Sequence, residues 1–243
     1  MNMRISLAAL LLASALPLAA HADGVAANLS GSYVNLGSGS DGYNIDGAVS
    51  DTFGSAWGGN WGGEITGGYH NLAGSVGNGG GAVFWQGSEF RFAVNGNYFS
   101  APGFHLANYG AGGEWYASPS WTFAVRGGGV SGQSGISGGY VGGDAKFYIT
   151  PNLSVDGGVD YLSLNSLSLT SESVRAEWLV SQSTPISVFG GYEHTDSGIA
   201  GNIDAFIVGI KIYTNDAPGA LVDRQRGGNL GYIDGLPYLG SVL

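Results

Sequence analysis

Two aspartates, Asp156 and Asp160, stand four residues apart in LSVDGGVDY, the stretch 153–161. Paired carboxylates serve as an acid/base couple, as ligands for a cation, or as the wetted side of an otherwise apolar element. Other groups able to do chemistry are sparse. The 243-residue chain has no cysteine, which excludes thiol nucleophiles, disulfides and cysteine metal sites. No H-E-x-x-H pair and no phosphate loop occurs. His70, His105 and His194 lie on separate stretches, and Glu193 beside His194 would face the other side of an extended strand. General acid/base work needs a third positioned group that the sequence does not supply. No catalytic residue, cofactor or metal ligand is expected.

Composition says what kind of element carries these residues. Glycine makes up 46 positions, aromatics 12% and charged residues only 11%, less than half the usual charged share. The first 22 residues combine Arg4, an apolar run from Ile5 to Leu18, and small residues at Ala20 and Ala22. That is the pattern of a secretory signal peptide, with the mature chain expected from Asp23. Setting Arg4 aside leaves seven basic against 18 acidic residues, which argues against nucleic acid as a partner. No later stretch approaches the apolar run of a spanning helix.

What does recur is a period of two. In 153–161, Leu153, Val155, Val159 and Tyr161 share one face and Ser154, Asp156 and Asp160 the other. The same alternation runs through twelve segments: about 25–35, 43–53, 61–71, 79–86, 90–100, 104–116, 121–131, 138–150, 153–164, 170–180, 186–196 and 202–214. Ten strands result if the fourth segment is not one. Glu64, Arg91, Glu114, Arg126, Asp144, Lys146, Asp156, Asp160, Arg175, Glu177, Glu193 and Lys211 all fall on the parity opposite their strand's most apolar set. A soluble sandwich would carry many more lysines and glutamates on its wet face. Glycine, serine, asparagine and isolated charges of both signs fit the enclosed lumen of a transmembrane barrel.

The aromatics agree. Trp61, Phe90, Trp115, Trp121, Phe147 and Trp178 would mark one rim, and Tyr69, Tyr98, Tyr109, Tyr161 and Tyr192 the other. The pairs Trp61/Tyr69 and Phe90/Tyr98 are each eight residues apart, about 20 Å along a tilted strand, close to the apolar band of an outer membrane. SPS, TPN and STP (118–120, 150–152 and 183–185) read as short periplasmic turns, and the Gly/Ser-rich alternate connections as longer outer loops. An even strand count places both mature termini in the periplasm.

IDGAVSDTFGSAWGGNWGGEITGGY (45–69) and FIVGIKIYTNDAPGALVDRQR (206–226) resemble the porin-like outer-membrane β-barrels of Gram-negative bacteria, in particular an alphaproteobacterial group. The resemblance implies a single barrel followed by a short arginine-bearing tail, and no functional residue carries over from it. Many such barrels end on an aromatic residue read by the barrel assembly machinery. This chain ends Ser-Val-Leu, so the signal would sit within 206–213.

The expectation is therefore an all-β, antiparallel up-and-down transmembrane barrel over 23–214, with 215–243 as a flexible periplasmic tail in preference to a plug entering the barrel from below. Outer-membrane lipid, the assembly machinery and small solutes or ions are its partners, and a monomer is favoured. The twelve charges line the lumen, either as salt-bridge ladders between strands or along a water path. Twelve strands close to a backbone diameter of roughly 24 Å, which side chains narrow to on the order of 10 Å and the many lumen glycines widen locally. Passive diffusion of ions or small hydrophilic solutes follows as the leading function. A non-conducting structural or adhesive barrel with a salt-bridged lumen is the alternative, and a lipid-modifying enzyme at the rim ranks lower. Contact between His70 and an acidic residue at the rim would favour the enzyme.

Overall fold

The computed structural model describes residues 25–37, 40–71, 74–165, 167–181, 185–198, 201–214 and 219–228. The expected leader at 1–22 lies outside them, as does everything beyond 228. Twelve strands follow one another: β1 (Ala26–Leu36), β2 (Ser40–Ala56), β3 (Gly59–Asn71), β4 (Ser75–Gln86), β5 (Phe90–Ala101), β6 (Phe104–Ser118), β7 (Trp121–Gly132), β8 (Ser137–Thr150), β9 (Leu153–Leu164), β10 (Leu167–Ser181), β11 (Ile186–Ser197) and β12 (Gly201–Thr214). Each pairs antiparallel with its neighbours, and β1 closes on β12, from Ala27 opposite Thr214 to Leu36 opposite Ala205. A closed sheet satisfies every ladder hydrogen bond internally, which lipid demands. The ten-strand alternative falls, because the fourth segment is a full strand paired on both sides.

Alternation decides which face is inside. On β5, Arg91, Ala93 and Phe99 are buried while Phe90, Phe92, Val94 and Tyr98 are exposed. The same parity holds on β12, where Phe206, Val208, Ile210 and Ile212 are exposed and Ala205 and Tyr213 are buried. The apolar set thus faces outward and the polar set inward, the reverse of a water-soluble protein. Cross-strand aromatics build the outward belts: Trp121 and Phe147 have ring centroids 4.7 Å apart, Phe90 and Trp115 6.4 Å, and Tyr43 and Tyr69 6.0 Å.

We call the end where β1 begins and β12 finishes the terminal mouth, and the other the far mouth. Connections at the terminal mouth are short, as at 119–120 and 151–152. Those at the far mouth are short too, spanning 37–39, 72–74, 102–103, 133–136, 165–166 and 198–200. Longer outer loops were expected there. The strands instead run on into the Gly/Ser stretches, as β4 does through Ser75–Gly81, because each added residue completes ladder bonds with both neighbours. Pro102 and Gly103, the latter at φ 78°, turn β5 into β6, the positions a two-residue turn assigns to a fixed φ and a left-handed one.

One further element, the helix α1 (Leu221–Gly228), follows the barrel. The sequence reading made 215–243 a free extension. Over α1 that reading fails, because the helix is seated in the terminal mouth.

Candidate functional site

The interior charges meet as pairs and triads. Arg126 on β7 donates to the Asp144 carboxylate on β8 and reaches past it to Asp160 on β9, Nε to Oδ1 at 2.9 Å. Asp156 on β9 lies between two cations, 3.7 Å from Lys146 Nζ and 4.0 Å from Arg175 Nε. Asp156 and Asp160 are therefore not each other's partners: a different cation holds each one. Arg91 lies 3.6 Å from Glu114, whose Oε2 also accepts from the Tyr116 hydroxyl at 2.9 Å. Glu177 accepts from Ser187 and Tyr213, each at 2.6 Å. Lys211 Nζ lies 5.0 Å over the Tyr213 ring, and Glu64 is buried on β3. Glu193 on β11 takes the Ser171 and Thr195 hydroxyls on Oε1, at 2.8 and 3.3 Å.

Opposite charges on adjacent strands are what an enclosed, partly desolvated interior needs. An unpaired buried charge is costly, whereas a paired and hydrogen-bonded one is tolerated. Several of the interior glycines are seats for these side chains. A Cβ at Gly142 would overlap the Asp160 carboxylate, and one at Gly158 would overlap that of Asp144. Gly80 likewise accommodates Asn97. The sequence reading had such glycines widening the lumen. Here the neighbouring strand's polar side chain lies across each of them and occupies the space that the missing Cβ leaves.

The interior changes character toward the far mouth. Val76, Phe99, Leu106, Val130, Tyr140, Leu162 and Leu169, one from each of β4 to β10, form a buried apolar cluster. The wall completing the ring is mixed, with Val34 on β1 and Ala205 on β12 buried beside polar groups. Asn44 on β2 is buried beside His70 on β3, whose Nε2 lies 3.0 Å from both Asp46 Oδ1 and Asn78 Nδ2.

At the terminal mouth α1 takes the place that the sequence reading ranked second, a tail entering the barrel from below. Leu221 is fully buried against Leu179 and Tyr213. Gln225 Oε1 accepts from Lys146 Nζ and the Tyr148 hydroxyl, both at 3.0 Å, and its Nε2 donates to Glu177 at 3.0 Å. The Arg226 guanidinium donates to Thr122 Oγ1 and to the carbonyls of Ser118 and Trp121, 2.8–3.1 Å away, with the rings of Tyr116 and Tyr148 4.9 and 5.3 Å from its carbon. The Arg226 carbonyl accepts from Gln86 at 2.8 Å and from Arg91. Burial pulls the Arg224 guanidinium below its ordinary pKa, yet arginine keeps its charge in proteins. A local signal for this helix exists. Asp223 accepts from the Ala220 N–H at 3.1 Å, half of a capping box, and a Gly-Gly pair follows Arg226.

Two arrangements bear on enzyme chemistry. His70 does meet Asp46, and on the outer face His194 Nδ1 lies 2.8 Å from Asp204 Oδ1. Among the described residues neither histidine is bonded to a serine or threonine hydroxyl. The spacing G-x-S-x-G occurs once, at 135–139. Its Ser137 opens a strand rather than a strand-to-helix elbow, and its hydroxyl donates to Asn165 Oδ1 at 2.9 Å. No group of three metal-binding side chains forms among the described residues.

With this geometry in hand, likeness to solved structures places the fold. The chain superposes on the KdgM porin with a TM-score of 0.57 at 10% identity, covering 76% of this chain and 98% of that one. For the NanC porin the TM-score is 0.56 at 10% identity, over 76% and 98%. An outer-membrane channel from Pseudomonas putida F1 gives 0.55 at 6%, over 79% and 96%. KdgM is also known in complex with disordered oligogalacturonate. No family model matches the chain, and no curated protein does. The fold is that of the outer-membrane porins, a closed twelve-strand antiparallel barrel.

Proposed function

We propose that this protein is an outer-membrane channel for passive diffusion of ions or small hydrophilic solutes, with α1 as the closure of its terminal mouth. The observation that carries the proposal is the charged, hydrogen-bonding interior of a barrel whose outside is apolar. A leader at 1–22 would deliver the chain across the inner membrane, and the assembly machinery would insert it as a single barrel with both termini in the periplasm. The strand interior carries five basic side chains (Arg91, Arg126, Lys146, Arg175, Lys211) against eight acidic ones (Glu64, Glu114, Asp144, Asp156, Asp160, Glu177, Glu193, and Asp46 beside His70). That balance favours cations and neutral solutes over a polyanion such as the oligogalacturonate seen with KdgM.

Docking of α1 is nearly balanced. Its Gln225 and Arg226 make eight hydrogen bonds to the barrel. At about 1 kcal/mol net each, with about 2 for burying Leu221, they oppose roughly 10 kcal/mol for ordering the described residues 219–228. A closure of that kind opens on a modest push.

The second reading, a sealed structural barrel, is favoured by the same α1 and by the apolar cluster at the far mouth. Single-channel recording separates the two. Refolded full-length protein in a planar bilayer is expected to show low or flickering conductance, and Gln225→Ala with Arg226→Ala to hold it open. Folded barrels that stay silent in both forms would establish the sealed reading.

A further inference from the structure

Of the interior carboxylates, Glu193 is placed differently from the pair that the sequence singles out. Asp156 and Asp160 each have a cation within 4.0 Å. Glu193 is 1% exposed, forms no ion pair within that distance, and binds only hydroxyls, both through Oε1. Its Oε2 has no hydrogen-bond partner. Arg175 is the nearby cation on β10, one position diagonal to Ser173, which stands opposite Glu193. It leans the other way, toward Asp156 and the face of Phe189, 5.9 Å from its guanidinium carbon. Gly191, opposite Arg175, adds no side chain to the space between them.

A buried carboxylate oxygen without a donor is costly, and such atoms in native proteins call for a ligand, a water or an ion. The surroundings here are hydroxyls: Ser171 and Thr195 on one side of the carboxylate, Ser173 across from it. Hydroxyl oxygens around a carboxylate with no ion pair within 4.0 Å and one oxygen free suit a small monovalent cation, an alkali ion or a primary ammonium, which can shed part of its water and still leave. Fewer than three carboxylate or imidazole groups converge, so divalent ions lack the ligands they need.

We propose that Glu193, with Ser171, Ser173 and Thr195, forms a cation-binding site on the lumen wall that sets the channel's preference for small monovalent cations. The inference rests on the channel reading above. It assigns selectivity to a residue on β11 rather than to the Asp156/Asp160 pair.

The test is recorded on refolded full-length protein under a KCl gradient, with methylammonium chloride as a second permeant ion. The unsubstituted channel should prefer cations and its conductance should saturate as KCl rises. Glu193→Gln keeps the shape and the bonds to Ser171 and Thr195, and should lower the cation preference about fivefold and abolish saturation for both ions. Glu193→Asp keeps the charge and should retain saturation, which separates loss of the site from loss of the fold. Asp156→Asn, a change at a carboxylate already held between Lys146 and Arg175, should leave both preference and saturation close to those of the unsubstituted channel, and a loss of preference as large as that of Glu193→Gln would overturn the assignment to Glu193. A conducting channel whose saturation is the same in Glu193→Gln would overturn the site and leave the channel standing. Silence in the unsubstituted protein and in the Gln225→Ala, Arg226→Ala form would overturn both.

Discussion

The two mouths of this barrel are filled by opposite means. At the far mouth seven strands each turn one apolar side chain inward, from Val76 on β4 to Leu169 on β10, and these pack on one another. At the terminal mouth the strands keep polar residues inside, and a separate helix arrives to satisfy them through Gln225 and Arg226. The first closure is made of the wall itself and cannot leave without deforming strands. The second is made of a segment that follows β12 and is held by side-chain hydrogen bonds rather than by the strand ladder. The difference separates a fixed constriction from a removable one, and each can be challenged separately.

The largest effect is expected between the mouths. Arg126→Ala leaves the buried Asp144 and the partly exposed Asp160 without their cation, and should cost about 3–5 kcal/mol in urea unfolding of the detergent-solubilised barrel. A loss under 1 kcal/mol would mean that water, not Arg126, holds those carboxylates. Next comes the fixed mouth. Leu106 is 1% exposed in the apolar cluster, so Leu106→Ala should cost about 2–5 kcal/mol by the same assay. If it costs little but raises conductance, the cluster is a pliable gate instead of a packed wall.

The removable mouth should respond in the inverse sense. Gln225→Ala with Arg226→Ala should change barrel unfolding by no more than about 1–2 kcal/mol, since the closed ladder β1 to β12 does not depend on α1. Open probability should rise strongly. Equal stability losses at both mouths would erase the contrast. The smallest effect belongs to the outer face: Asp204→Asn removes the negative charge from the exposed contacts with His194 and Tyr192 and should leave the unfolding midpoint and conductance unchanged. A change in lipid hydrolysis or modification there would instead reopen an enzymatic role for His194.

The barrel was legible in the chain because its cause is local and repeated. Lipid outside and water inside impose a period of two on every strand, and most of the twelve segments show it without reference to any other, the first and fourth least clearly. The inward parity of Asp144, Lys146, Asp156 and Arg175 follows from that period alone. What the parity leaves open is which charge meets which, since that depends on register between strands. Arg126 reaches across β8 to Asp160 because Gly142 stands opposite Asp160 and leaves room for its carboxylate. No single segment carries that relation. The strand lengths at the far mouth were misjudged for a related reason: Gly/Ser runs are poor strand formers alone, but a flanking strand on each side supplies the hydrogen bonds that keep them extended.

The sequence by itself determined that each strand has an apolar and a polar face and narrowed the strand count to ten or twelve, because alternation under a membrane constraint needs only nearest neighbours along the chain. Only the tertiary structure decided the ion-pair partners, the apolar ring of the far mouth, the half-satisfied carboxylate of Glu193 and the seat of α1. Each of those joins residues from strands far apart in sequence, where closure of the barrel, not local preference, sets the distance.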